Sequence, residues 1–224
     1  MIRLLLIATL MLMQPAVAED IKRWPFKVYL DDTEIGQHQF ELSHGNSGQE
    51  IRSRAQFDVK VLFVTAYRYR HENVERWNGN CLASLTSRTN DNGDQLNVRA
   101  ETQDGMLRVQ SNGTSTAYAL PCVMSFAYWN PAFLRATQLL HPQTGELVNV
   151  RIKHTGAEAL QIGAQTVASQ RYTVRGPDLR IDLWYSESGD WLALNTPVKN
   201  GRVLRYRLEK MPGCAKNRKE EVCA

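Results

Sequence analysis

The run Ile51-Arg-Ser-Arg-Ala-Gln-Phe-Asp-Val-Lys60 alternates strictly. Ile51, Ser53, Ala55, Phe57 and Val59 fall on one side, and Arg52, Arg54, Gln56, Asp58 and Lys60 on the other. A period of two with one apolar and one polar face marks a half-buried strand, the habit of antiparallel sheets. The same period recurs along the chain. Tyr67, Tyr69 and His71 alternate with Arg68, Arg70 and Glu72. Ile181, Leu183 and Tyr185 alternate with Arg180, Asp182 and Trp184, and Leu204, Tyr206 and Leu208 with Arg205 and Arg207. Turn signals separate such runs at short intervals: Asp31-Asp32, Asn92-Gly93, Asp104-Gly105, Asn112-Gly113 and Ser188-Gly189-Asp190. Asn-Gly or Asp-Gly between alternating segments is the strongest short hairpin signal. There is no strand–helix–strand rhythm. The expectation is a mainly β fold, an antiparallel meander of roughly ten strands forming a curved sheet or partly closed barrel, with one short helix.

That helix belongs to the one segment that departs from the pattern, Leu120-Pro-Cys-Val-Met-Ser-Phe-Ala-Tyr-Trp-Asn-Pro131 and the run Ala132 to Leu140 after it. Asn130 suits an N-cap and Pro131 a first helical turn. Phe133, Ala136, Leu139 and Leu140 then have helical spacing, and Pro142 disfavours helix at His141. Such a segment crossing a β domain reads as a lid or plug.

The chain has 224 residues. Met1-Ile-Arg3, the apolar run Leu4 to Met13, and Ala16-Val-Ala18 before Glu19 form the pattern of a cleaved secretory signal. The apolar run is half of the roughly 20 residues a membrane-spanning helix needs. The expectation is therefore a signal peptide over 1–18 and a periplasmic mature chain starting at Glu19. The residue directly after the cleavage site is Glu19 and not Cys, so no lipid-anchored product is implied, and no later stretch reads as a transmembrane segment. One β domain over 19–209 and a Lys- and Glu-rich tail over 210–224 account for the remainder. The net charge of +4, or +3 without Arg3, is too mild and too interspersed for a nucleic-acid partner.

All four cysteines, Cys81, Cys122, Cys214 and Cys223, lie beyond the signal, and an even count in an exported chain reads as disulfides. Three pairings are open. Cys81–Cys122 with Cys214–Cys223 is favoured, because the latter two are close in sequence and close the tail. There is no C-x-x-C and no neighbouring His, so neither a zinc site nor any other metal or cofactor is implied.

The stretches Trp24-Pro-Phe-Lys-Val-Tyr-Leu30, Ala66-Tyr-Arg-Tyr-Arg-His-Glu-Asn73, Cys122 to Pro131 and His141-Pro-Gln-Thr-Gly145 resemble the exported bacterial proteins of domain of unknown function 6134. The resemblance covers nearly the whole mature chain and implies no activity and no site residue. The half from Leu147 to Glu209, with Leu183-Trp-Tyr185 and Ser188-Gly-Asp190, resembles more distantly domain of unknown function 3108. That likeness implies a curved antiparallel sheet, broadly like periplasmic lipoprotein carriers.

Catalytic patterns are sparse. There is no G-x-S-x-G elbow, and Ser125 sits in an apolar run. His38, His44, His71, His141 and His154 are scattered without ligand spacing, and Glu72 and Glu75 read as exposed. A thiol at Cys122 with His71 or His141 as base is the one enzyme arrangement open. What stands out is aromatic: Met124, Phe126, Tyr128, Trp129 and Phe133, joined by Trp184 and Tyr185. Trp and Tyr combine an apolar body with a polar tip and suit ligand pockets, though the same rings also fill cores. Arg52, Arg54, Arg68 and Arg70 suit either an anionic head group or a solvated face. The leading expectation is a non-enzymatic periplasmic protein binding a hydrophobic or lipid-like ligand through Met124, Phe126, Tyr128, Trp129, Phe133 and Trp184. The alternatives are an envelope structural or assembly factor that binds protein, and an enzyme built on His71 and Cys122–Pro131.

Overall fold

In a computed structural model the described residues are 21–45, 48–61 and 64–214. The expected signal peptide over 1–18 lies outside them, as does the Cys214–Cys223 pairing, since Cys223 is beyond them.

The alternating runs form strands β1 (Ile21–Leu30), β2 (Thr33–Gly45), β3 (Gly48–Val61), β4 (Val64–Asn78) and β5 (Cys81–Asp91). They continue as β6 (Asp94–Gln103), β7 (Met106–Ser111) and β8 (Thr114–Tyr118). After an irregular segment come β12 (Arg151–Ile162), β13 (Gln165–Arg175), β14 (Arg180–Ser186), β15 (Trp191–Pro197) and β16 (Val203–Leu208), and finally β17 (Gly213–Cys214). All join one antiparallel sheet in the order β12-β13-β14-β15-β16-β1-β2-β3-β4-β5-β6-β7-β8, with β17 also on β1. The two meanders meet where β1 pairs with β16, Phe26 opposite Leu208 and Leu30 opposite Leu204. β8 and β12 remain edges, so the curved sheet is not closed. Among the described residues no helix is long and apolar enough to cross a membrane.

The turns follow the signals read from sequence. Asn92-Gly93, Asp104-Gly105 and Asn112-Gly113 join β5 to β6, β6 to β7 and β7 to β8, and all six residues have positive φ. Two consecutive positive φ values define the type I′ turn, whose twist matches that of the flanking strands. At Gly36, φ is +152° and an added Cβ would lie 1.9 Å from the Gln56 carbonyl oxygen. Only glycine lets β2 approach β3 so closely there.

Period two sorts the side chains. Arg52, Arg54, Arg68 and Arg70 project from the outer face and pair with carboxylates: Arg52 with Glu50 at 2.5 Å, Arg54 with Glu72 at 3.1 Å, and Arg68 and Arg70 with Asp58 at 3.3 and 2.9 Å. The inner face carries the core, with Trp24, Phe26, Trp77, Leu85 and Trp191 all at most 1% exposed.

Residues 119–150 cover that inner face. They contain β9 (Met124–Ser125), β10 (Gln138–Leu140) and β11 (Leu147–Asn149), a small separate sheet in which β9 runs parallel to β10. The expected helix is cut to one 3-10 turn, Pro131–Arg135. Its start is as anticipated: Asn130 Oδ1 accepts from the Ala132 N–H at 3.0 Å. It stops at Ala136, and Leu139 and Leu140 extend into β10, both fully buried. A segment sandwiched inside a curved sheet buries both of its faces, so successive leucines fit a strand as well as a helix. Strands also exceed the expected ten, because the turns divide the chain more finely.

The Cys81–Cys122 disulfide, with its Cα atoms 4.9 Å apart, ties the start of this plug to β5, and the Leu82 N–H donates to the Val123 carbonyl at 2.9 Å. The bridge spans 41 residues of sequence, a loop whose closure stabilises by about 3–4 kcal/mol in the chain-entropy model. Urea denaturation of a Cys81→Ser/Cys122→Ser variant should show a loss of that size. A loss under about 1 kcal/mol would mean that packing alone holds the plug.

Candidate functional site

β4 turns Tyr69, His71, Asn73, Glu75 and Trp77 inward. The expectation that Glu75 is exposed is overturned: Glu72 and Glu75 differ by an odd number of positions, so a strand sends them to opposite faces. Glu72 pairs with Arg54 outside, whereas Glu75 is 4% exposed. Three donors meet its carboxylate. Asn73 Nδ2 donates to Oε1 at 2.8 Å, and Trp77 Nε1 and Ser125 Oγ donate to Oε2 at 3.0 and 2.9 Å. Burial pushes the Glu75 carboxyl above the usual carboxylate range, while the three hydrogen bonds pull it back. Ser125 lies on β9, so this buried carboxylate joins plug to sheet.

Between the inner face of β2–β4 and the plug lies a cavity of about 300 Å³. Three of the five scattered histidines meet at its wall: His38 from β2, His71 from β4 and His141 from the plug. His44 and His154 are exposed. His71 Nδ1 is 2.8 Å from Thr89 Oγ1, and His38 Nδ1 is 3.2 Å from Tyr206 Oη. The His38 and His71 ring centres are 6.4 Å apart. His141 accepts from the Gln143 N–H and packs on Phe126 at 5.4 Å. Burial pushes His71 down to about 4 and depresses His38 and His141 as well. All three are therefore neutral imidazoles at neutral pH, each able to donate and to accept.

Polar satisfaction fails at this wall. Six buried side-chain polar atoms lack a partner among the described residues, and three of them, His38 Nε2, Asn73 Oδ1 and Trp129 Nε1, belong to cavity residues. Buried polar groups are nearly always paired with protein or water, so this wall leaves open hydrogen-bonding capacity for water or another polar group.

Of the aromatic candidates, Phe126, Tyr128 and Trp129 line the cavity. Phe133, fully buried, sits outside that wall and supports it, 5.3 Å from the Tyr128 ring. Met124 is half-buried against the core, away from the cavity wall. Trp184 is separate: it faces away from Tyr185, stacks under Arg171 at 5.1 Å and donates to Glu158 at 2.8 Å. Tyr185 turns inward and donates to the Tyr128 carbonyl at 2.8 Å. The thiol-enzyme arrangement loses its nucleophile, because the Cys122 sulfur is in the disulfide. No sequence motif announced the histidines or Glu75; the β4 alternation was the available signal for His71 and Glu75, and it does not reach His38 or His141.

An open antiparallel meander wrapped around a plug from its own chain defines a β-barrel-like protein with a pocket between plug and sheet. More particularly, the chain belongs to the DUF6134 family, a domain of unknown function, whose family model matches residues 26–209. A search of the curated proteins returns no match. Among solved structures, the chain is similar to a β-barrel-like protein of domain of unknown function DUF1849 from Brucella abortus. The TM-score is 0.64 at 11% identity, covering 90% of this chain and 100% of that one, a likeness of fold. A structure described as a "putative lipoprotein" from Parabacteroides distasonis ATCC 8503 covers 87% of this chain and 95% of its own, at 13% identity and a TM-score of 0.31.

The neutral histidines set an acid limit on stability. His71 near 4 in the fold titrates below the 6.5 of a solvated imidazole, so the unfolded chain takes up the proton first as pH falls. Its contribution is whole above about 6.5 and is lost down through about 4, about 3 kcal/mol in all. Glu75 acts in the opposite sense, since protonation relieves its burial. Urea denaturation at pH 7 and pH 4 should show wild type losing about 3 kcal/mol more than His71→Gln. Equal losses would contradict the assignment.

Proposed function

We propose that this protein is a non-enzymatic carrier of the periplasm, holding a compact ligand with an apolar body and a hydrogen-bonding head beneath the plug. The observation that carries this reading is the make-up of the cavity wall. Phe40, Phe126, Tyr128 and Trp129 offer ring surface, and His38, His71, His141 and Asn73 offer polar groups, several without partners. A few convergent polar groups in an otherwise apolar hollow is the usual make-up of a small-molecule site. About 300 Å³ is at the lower end of such sites, which favours a small amphipathic molecule, or one end of a lipid chain, over a whole lipid. Export is supported by the signal pattern of residues 1–18 and by the disulfide, a bond of oxidising compartments.

A hollow favours this reading over the protein-binding assembly factor, for which a flat aromatic patch is the expected feature. A fluorescent short-chain fatty-acid probe should bind the purified protein saturably. Phe126→Ala, which trims a half-buried cavity ring, should weaken binding about tenfold, equivalent to about 1.4 kcal/mol, with little change in melting temperature. Trp129→Ala should weaken it too, with a larger stability loss because Trp129 also packs edge-on against Trp77. A wild type that binds neither this probe nor any lipid co-purified and seen by native mass spectrometry would contradict the proposal.

A further inference from the structure

On the outer face of the sheet, β12, β13 and β14 bring together five cations: Arg151, Lys153, Arg171, Arg175 and Arg180 line a shallow groove of about 440 Å³. It shares no residue with the cavity beneath the plug. The register is specific. Arg151 stands directly opposite Arg175, and Arg175 directly opposite Arg180, so three guanidinium groups form a row across three neighbouring strands. Like charges directly opposite in a sheet destabilise it. One carboxylate faces the groove from the next row, Asp182, and it is already committed. Thr173 Oγ1 donates to it at 2.6 Å and Arg171 at 2.8 Å, with Arg180 3.6 Å away. Arg171 is further held over the Trp184 ring, and its Nε atom is buried without a partner. Glu158 is used by Trp184, and Asp178, in the turn between β13 and β14, forms no ion pair among the described residues. Arg151, Lys153 and Arg175 are likewise without a carboxylate within ion-pair distance among the described residues, in contrast to the paired arginines of β3 and β4.

We propose that this row is an anion site for a phosphoryl group. A fork of donors at each strand spacing matches the oxygens of a phosphate or pyrophosphate, which guanidinium groups bind through paired hydrogen bonds. The anion relieves the repulsion along the row, so binding and stability are coupled by mass action. The same chemistry is presented by a free phosphorylated molecule or by an anionic lipid head group.

The test compares wild type, Arg151→Ser/Arg175→Ser, and a charge-matched control, Arg52→Ser/Arg54→Ser, at low ionic strength. Melting temperature is measured with and without inorganic pyrophosphate. Co-sedimentation is measured with vesicles of phosphatidic acid in phosphatidylcholine and of phosphatidylcholine alone. Without anion, the Arg151/Arg175 variant should melt no lower than wild type, since it removes repulsion. A pyrophosphate-induced rise of several degrees, lost in that variant and kept in the control, supports the site and assigns a soluble ligand. Binding confined to phosphatidic acid vesicles, again lost only in that variant, supports it and assigns a lipid head group. No binding in either arm, or equal losses in the control, overturns it. Failure here leaves the cavity reading untouched, because the fatty-acid probe reports on other residues.

Discussion

One buried carboxylate bears on most of this architecture. A wide antiparallel sheet that curves without closing presents a concave apolar face, and the chain covers it with its own residues 119–150. Packing makes most of that contact, but Glu75 fixes where the plug sits. A carboxylate 4% exposed is tolerable because Asn73, Trp77 and Ser125 all donate to it. Loss of any donor leaves a buried acceptor short of a partner, which is more costly than the net value of the bond itself. The Cys81–Cys122 bridge acts on the same joint from the covalent side, at the opposite end of β9 from the Glu75 contact.

The division of chemistry between the two sheet faces follows from that arrangement. The plug does not fill the hollow. Tyr69 accepts from Gln143, and Ser87 donates to the Pro142 carbonyl, so the loop after His141 is bound to the far wall and a gap stays open between. Gly145 belongs to this closure: a Cβ there would lie 2.8 Å from Val109 Cγ1. The inner face is thereby a desolvated place where imidazoles are neutral, and the outer face is a screened one where ion pairs form and each is worth little. Arginines on β3 and β4 follow the ordinary pattern of that outer face. Arg151 and Arg175, on β12 and β13, have no carboxylate within ion-pair distance among the described residues, and that unmatched register sets this row apart from the ordinary surface.

How much of this was legible in the sequence differs by element. The strands, the Asn-Gly and Asp-Gly hairpins and the incomplete barrel follow from local alternation and turn chemistry, which period and φ preference report directly. The segment from Leu120 to Leu140 was legible as a plug because it breaks the period. Its helix was not, since the spacing of Phe133, Ala136, Leu139 and Leu140 suits either a helix or a strand buried on both sides. The pairing of β1 with β16 joins residues far apart in the chain, and no local pattern encodes it. The cavity was half legible: Phe126, Tyr128 and Trp129 stood out as rings, but Trp184 shares their chemistry and faces elsewhere. His71 was legible as the third member of the Tyr67-Tyr69-His71 face, but His38 and Glu75 were hidden because hydrophobic alternation marks inner faces by apolar residues. A polar residue on an inner face then reads as noise.

The account therefore turns on the contact between Glu75 and Ser125, and a double-mutant cycle measures it most directly. Unfolding free energies of wild type, Glu75→Leu, Ser125→Ala and the double variant isolate the pairwise term. A hydrogen bond to a buried charged acceptor predicts a coupling of about 1.5–3 kcal/mol. Additivity to within about 0.3 kcal/mol would contradict it, and would mean that the plug is held by packing and the disulfide without this carboxylate.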